Sequence, residues 1–250
     1  MKKAEIRTPL PLFYVGKDLV EGPLPAIFYF ALSAKESLLE HPYNSPVSFF
    51  KDHNVRIFSV DLPFHGENLP AVEALTHWAE SFTRGDDFLT RFLSDLEESL
   101  TLLFTSQLVN TRHIAAVGLS RGSFIAAHIA ARFPLITHLL TFAPLTHLEN
   151  IKEFHLLESS PLIEKLKLSH IQEVLSKKTI RTYIGGRDTR TNTDLCYAWI
   201  RSLIETAHQN KVRSPPIEFI LKPSIGHKGH GTSPETFKEG ALWIKEQLSL

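Results

Sequence analysis

Short apolar runs alternate with longer amphipathic ones along this chain, the pattern of a mostly parallel sheet wrapped by helices. The apolar runs predict strands at Ala26 to Phe30, Val55 to Val60, His113 to Val117, His138 to Phe142, Ile180 to Ile184 and Ile217 to Leu221. The piece from Leu10 to Val15 predicts an antiparallel strand at the sheet edge. Helical spacing is clearest where Phe88, Phe92, Leu93, Leu96, Leu100 and Leu103 recur, predicting a helix over 88–103. Further helices are predicted over Ser123 to Phe133, Leu195 to His208 and Pro234 to Leu248. The last opens Ser233-Pro234-Glu235, a cap residue followed by proline at the first helical position. The stretch from Leu145 to Lys178 is too long for a simple crossover and reads as two or three short helices broken at Ser159-Ser160-Pro161. Its place over the strand ends makes it a possible small lid. No repeat or low-complexity linker divides the 250 residues, so one domain over 1–250 is expected.

One junction in this pattern has chemical content. Gly118-Leu119-Ser120-Arg121-Gly122 lies between the apolar run His113 to Val117 and the Ala-rich helical run that starts at Ser123. A Gly-x-Ser-x-Gly between strand and helix is a nucleophile elbow: a tight, strained turn lifts the serine above the sheet. The glycines are needed because strand and helix approach so closely that a flanking side chain would clash.

A serine hydroxyl is a poor nucleophile until a base accepts its proton, and the base needs an acid to orient it. In an elbow architecture the order along the chain is serine, acid, histidine. Thr182-Tyr183-Ile184-Gly185-Gly186-Arg187-Asp188 runs off a strand through a glycine turn and delivers Asp188 to its end. The bland alternative is a turn-capping aspartate; Asp194, further into the loop, is the fallback acid. For the base, Pro223-Ser224-Ile225-Gly226-His227-Lys228-Gly229-His230-Gly231 offers two histidines. His227 is preferred because a short Pro-x-x-Gly step sets its distance from the last strand. His230, in Gly-His-Gly and nearer the final helix, is the alternative. His-x-x-His spacing also suits a metal pair, but no cysteine or acidic cluster accompanies it, so neither metal nor cofactor is expected. The oxyanion hole is expected from two backbone N–H groups, that of Arg121 and that of Leu32 in the loop after Ala26 to Phe30. A further turn, Asp61-Leu62-Pro63-Phe64-His65-Gly66, reads as turn chemistry, with His65 structural or part of a pocket wall. Phe49, Phe50, Trp78 and Phe82 read as core more readily than as an acyl pocket.

Composition narrows the partners. Apolar residues at 43% and charged ones at 22% describe a soluble globular protein. Twenty-seven basic side chains balance twenty-seven acidic ones, so no net field draws the chain to nucleic acid or anionic membrane. No stretch reaches the roughly eighteen apolar residues of a membrane span. Basic residues open the chain with no apolar run behind them, and Cys196 is the single cysteine. A cytoplasmic protein acting on a small molecule is expected; the oligomeric state is not legible.

Together, the turn at Asp61 to Gly66, the elbow at Gly118 to Gly122, Gly186-Arg187-Asp188 and Pro223 to His227 resemble the α/β-hydrolase superfamily. Within it, the small esterases akin to dienelactone hydrolases and prolyl oligopeptidases are most similar. The resemblance spans about residue 10 to the C-terminus. It implies an α/β-hydrolase fold with an eight-stranded, mostly parallel sheet, and a Ser120, Asp188, His227 triad cleaving a carboxylic ester or thioester. It departs where such hydrolases often carry His-Gly after the third strand, here Phe30-Ala31, and where dienelactone hydrolases use a cysteine nucleophile. Peptidase and acyltransferase chemistry share the same triad. A catalytically idle binding protein is the alternative of another class, against which the retention of serine, acid and histidine argues.

Overall fold

The computed structural model describes residues 1–66 and 69–250. Its central strands are apolar on both faces because helices cover both. In β3 (Leu24–Phe30), Ala26, Phe28 and Phe30 face one core while Ile27 and Tyr29 face the other, the two-residue alternation of extended chain. In chain order the other elements before the elbow are β1 (Lys2–Lys3), β2 (Phe13–Gly16), α1 (Ala34–Leu39), α2 (Ser45–Phe49), β4 (Arg56–Ser59), α3 (Ala74–Thr83) and α4 (Phe88–Thr105). β5 (Val109–Leu119), α5 (Arg121–Arg132), β6 (His138–Phe142), α6 (Pro161–Glu164), α7 (Gln172–Leu175), β7 (Thr179–Gly185), α8 (Thr193–Gln209), β8 (Ile217–Lys222) and α9 (Pro234–Gln247) follow. The described strands form one eight-stranded sheet in the order β1-β2-β4-β3-β5-β6-β7-β8. β1 and β2 are antiparallel additions at one edge, and the rest run parallel.

One face is covered by α1, α2 and α9, whose Leu38, Val47, Phe237 and Ile244 pack on Tyr29, Val117 and Leu140. The other face, under α3, α4, α5 and α8, holds the larger core. α1, α2 and α3 add to the helices expected from the sequence. The first two are barely a turn and a half each, too short for periodicity to register. In α3, by contrast, Leu75, Trp78, Ala79 and Phe82 recur at helical spacing.

The segment 145–178 carries α6, α7 and several single 3₁₀ turns, with α6 opening at Ser160-Pro161. Its Leu148, Ile151, Phe154, Ile163, Leu166 and Leu168 are buried in the same core as α3 to α5. His128 of α5 donates from Nε2 to the Leu166 carbonyl at 3.0 Å, and Lys165 pairs with Asp87 at 2.9 Å. At the opposite end of the sheet the wholly buried Arg56 donates to the carbonyls of Lys17, Asp18, Gly22 and Leu108, tying the edge to β4. No described helix is long and apolar enough to cross a membrane.

Candidate active site

The elbow between β5 and α5 is as tight as its glycines require. A Cβ on Gly122 would lie 2.0 Å from the Phe30 carbonyl oxygen, and one on Gly118 would lie 2.3 Å from Ser123 Cα. Ser120 sits at φ 54°, ψ −119°, a conformation that costs a non-glycine residue about 1–3 kcal/mol. Its backbone is pinned on both sides: its N–H donates to Phe142 O at 2.9 Å, and its carbonyl accepts from Ser123 and Leu145. The serine is thereby fixed at the C-terminal edge of the sheet, and its hydroxyl faces the last two loops.

Asp188 hangs from the turn that leaves β7. Thr193 braces that turn, donating from Oγ1 to Gly185 O at 2.7 Å while accepting the Asp188 N–H at 2.9 Å. The carboxylate is buried, and its oxygens are taken up in order. Oδ1 accepts the N–H groups of Arg190 (2.8 Å) and Thr191 (3.0 Å). Oδ2 accepts the Thr191 hydroxyl (3.0 Å) and His230 Nδ1–H (2.7 Å). Burial works against the charge, but the His230 bond and field and the two amides outweigh it, leaving the pKa below the usual carboxylate value. Asp194 lies exposed in the first turn of α8 and is not brought to the histidine loop.

That loop folds back on itself. Gly229 N–H donates to Gly226 O at 3.0 Å, closing a tight turn, and Gly231 N–H donates to Ile225 O at 3.0 Å, closing a small bridge below it. His227 is thrown to the exposed tip, and its ring makes no hydrogen bond to a described residue. His230 returns to the base of the loop. There its Nδ1 faces Asp188 and its Nε2 lies 2.8 Å from Ser120 Oγ. With Nδ1 donating to the carboxylate, Nε2 presents its lone pair to the hydroxyl. Ser120, His230 and Asp188 therefore form one hydrogen-bonded run, and the sequence preference for His227 gives way to its alternative in geometry.

Of the two expected oxyanion amides, that of Arg121 opens α5 and has no acceptor within the helix. That of Leu32 already donates to Ser37 Oγ at 3.1 Å, beside the Ala31 amide at 3.2 Å. A cavity of about 420 Å³ opens beside Ser120 and His230, walled by Leu32, Tyr43, Ala71, Leu119, Ile225 and Phe237. This volume suits a small organic substrate. Phe50, Trp78 and Phe82 lie in the core and not on this wall.

The Arg121 side chain runs towards the Asp61 to Gly66 turn. Its Nη1 donates to Ala71 O at 2.7 Å and to His65 Nε2 at 3.2 Å. His65 in turn donates from Nδ1 to Pro63 O at 2.9 Å, which leaves Nε2 free to accept. Burial, reinforced by the Arg121 charge, pushes the His65 pKa down to about 4, so the ring is neutral near pH 7. Arg190 is held elsewhere, by a two-pronged pair with Glu153 of the 145–178 segment at 2.7 and 3.0 Å. Among the described residues no cluster of three His, Cys, Asp or Glu is placed to hold a metal ion.

Sheet order, elbow and loop placement are those of the α/β-hydrolase fold, and solved structures agree. The chain is similar over its whole length to TT1662 from Thermus thermophilus (15% identity, all of both chains, TM-score 0.67). It is similar to the esterase Est1E from Butyrivibrio proteoclasticus, solved with ferulic acid (12% identity, 96% of this chain and 97% of that one, TM-score 0.62). It is similar also to an acylaminoacyl peptidase from Pyrococcus horikoshii (10% identity, TM-score 0.67). There 98% of this chain matches only 40% of the longer one. No family model matches the sequence. No curated protein matches it either. At these identities the likeness defines the fold alone.

Proposed function

We propose that this protein is a serine hydrolase that cleaves a carboxylic ester or thioester through Ser120, His230 and Asp188. The observation that carries this reading is the unbroken run from Ser120 Oγ through His230 to the buried Asp188 carboxylate. Ser120 Oγ attacks the carbonyl carbon as its proton passes to His230 Nε2. Asp188 holds the imidazole in the required tautomer and stabilises the imidazolium. The carbonyl oxygen becomes an oxyanion that accepts from the Arg121 N–H and from the Leu32 N–H, the latter exchanging the Ser37 hydroxyl for the substrate. Collapse breaks the bond to the leaving alcohol or thiol, which takes the proton from His230. Water then adds to the acyl-enzyme with His230 again as base, releasing the acid and restoring Ser120. Esterases and peptidases of the same fold among the structural neighbours are in keeping with this scheme. The test is covalent labelling with a fluorophosphonate, followed by a panel of activated esters of different acyl length. Wild type labels at Ser120 and turns over at least one ester, while Ser120→Ala does neither; undiminished labelling of that variant overturns the assignment.

A further inference from the structure

Arg121 follows the nucleophile, lines the cavity beside it, and makes no ion pair with a described residue. Every hydrogen bond that its side chain makes to a described residue is to a neutral acceptor: the Ala71 carbonyl and the lone pair of His65. The nearby acids are engaged elsewhere. Glu153 pairs with Arg190, and Glu36 accepts from the Ser33 amide and hydroxyl. No described carboxylate pairs with Arg121. Its Nε is buried without a partner, and Nη2 makes no hydrogen bond to a described residue. A guanidinium in such surroundings lacks the pairing that its desolvation calls for. The remaining cavity wall is mostly apolar. An apolar cavity with one planar cation that is hydrogen-bonded to neutral acceptors and paired with no described carboxylate, next to the nucleophile, matches a ligand with an apolar body and one anionic group, since the arginine fork fits a carboxylate.

We infer that Arg121 selects the substrate: the protein prefers esters carrying a carboxylate near the scissile carbonyl, docked on this guanidinium. This inference rests on the serine hydrolase reading. It is tested with paired esters, each enzymic rate being referred to the spontaneous hydrolysis of the same ester. Mono-(4-nitrophenyl) glutarate against 4-nitrophenyl butyrate places the charge on the acyl side. 4-(Butyryloxy)benzoate against its methyl ester places it on the alcohol side. Wild type is expected to favour the charged member of one pair by about ten-fold or more in kcat/KM. Arg121→Met and Arg121→Gln are expected to cut that charged-to-neutral ratio by a similar factor, whatever they do to both esters in common. Equal rates within both pairs for wild type, or an unchanged ratio in the variants, overturn the inference. If the variants do not fold, wild type alone decides: glutarate, and not neutral glutaramide, slows fluorophosphonate labelling, and equal effects refute the site. Absence of all labelling and turnover defeats the hydrolase reading instead. Calorimetric titration of glutarate onto the wild type then judges the anion site by itself, binding upholding it and no binding removing it.

Discussion

A Cβ on Gly229 would lie 2.0 Å from the carbonyl oxygen of Arg187, so the histidine loop and the acid loop meet backbone to backbone. Lys228 O reinforces the seam by accepting the Thr189 N–H at 2.8 Å, and Ser224 Oγ accepts the Arg187 N–H at 2.7 Å. The distance from His230 to Asp188 is thus set by two loops locked together rather than by either side chain alone. Gly229 also lies at φ +69°, where a side chain is strained. Gly229→Ala should push the loops apart and lower kcat by about a hundred-fold with a much smaller change in KM, as expected for a loss of alignment. Steady-state kinetics on one activated ester checks this.

The Glu153–Arg190 pair ties the 145–178 segment to the acid loop, because the Arg190 amide is itself a donor to Asp188 Oδ1. Both side chains are largely buried. Removing Glu153 leaves a poorly solvated cation two residues from the acid. Glu153→Ala should cost about 2–3 kcal/mol in urea unfolding and lower kcat several-fold. Glu153→Asp should recover part of both.

Acid should destabilise the fold before it protonates the carboxylates. Burial pushes His128 down to about 4 from an ordinary 6.5, and His65 behaves alike. A group whose folded pKa is depressed is protonated more readily in the unfolded chain, so stability rises with pH between the two values. The contribution is fully present above about 6.5 and is lost as pH falls towards 4, on the order of 3 kcal/mol per group. Urea unfolding at intervals from pH 7 to pH 4 should show this fall. His128→Gln, whose side-chain amide can still reach Leu166 O, should flatten it by one group's share.

Arg56 anchors four carbonyls with no exposure at all. Arg56→Met leaves those carbonyls without a donor and should cost about 3 kcal/mol or more. For a chain of this size that lowers Tm by roughly 6–12 °C. A thermal melt followed by circular dichroism measures it, with fluorophosphonate labelling at 25 °C little changed because the site is at the other end of the sheet.

The strands and the elbow were legible because each leaves a compositional trace. Buried parallel strands read as apolar runs, and Gly118 and Gly122 are demanded by backbone contact with Ser123 and Phe30. The position of Asp188 just past the end of β7 is legible because Gly185-Gly186 marks where the chain leaves that strand. The choice between His227 and His230 is not, since distance along the chain equals distance in space only in an extended segment. Here the Gly226 to Gly229 turn cancels three residues of advance. The Leu32 amide shows a related limit: Ser33-x-x-Glu36 marks the start of α1, but that Ser37 Oγ then turns back onto the Leu32 amide depends on the side chain's direction in the fold. That no described carboxylate pairs with Arg121 follows from where the fold places the acids, a property of the whole chain.

The most direct test compares His230→Ala with His227→Ala on a single activated ester, alongside the rate of fluorophosphonate labelling. His230→Ala should lower kcat/KM by about three orders of magnitude or more and slow labelling in parallel. His227→Ala, at an exposed loop tip, should stay within a few-fold of wild type. A large loss in His227→Ala with His230→Ala near wild type would contradict the account at its centre.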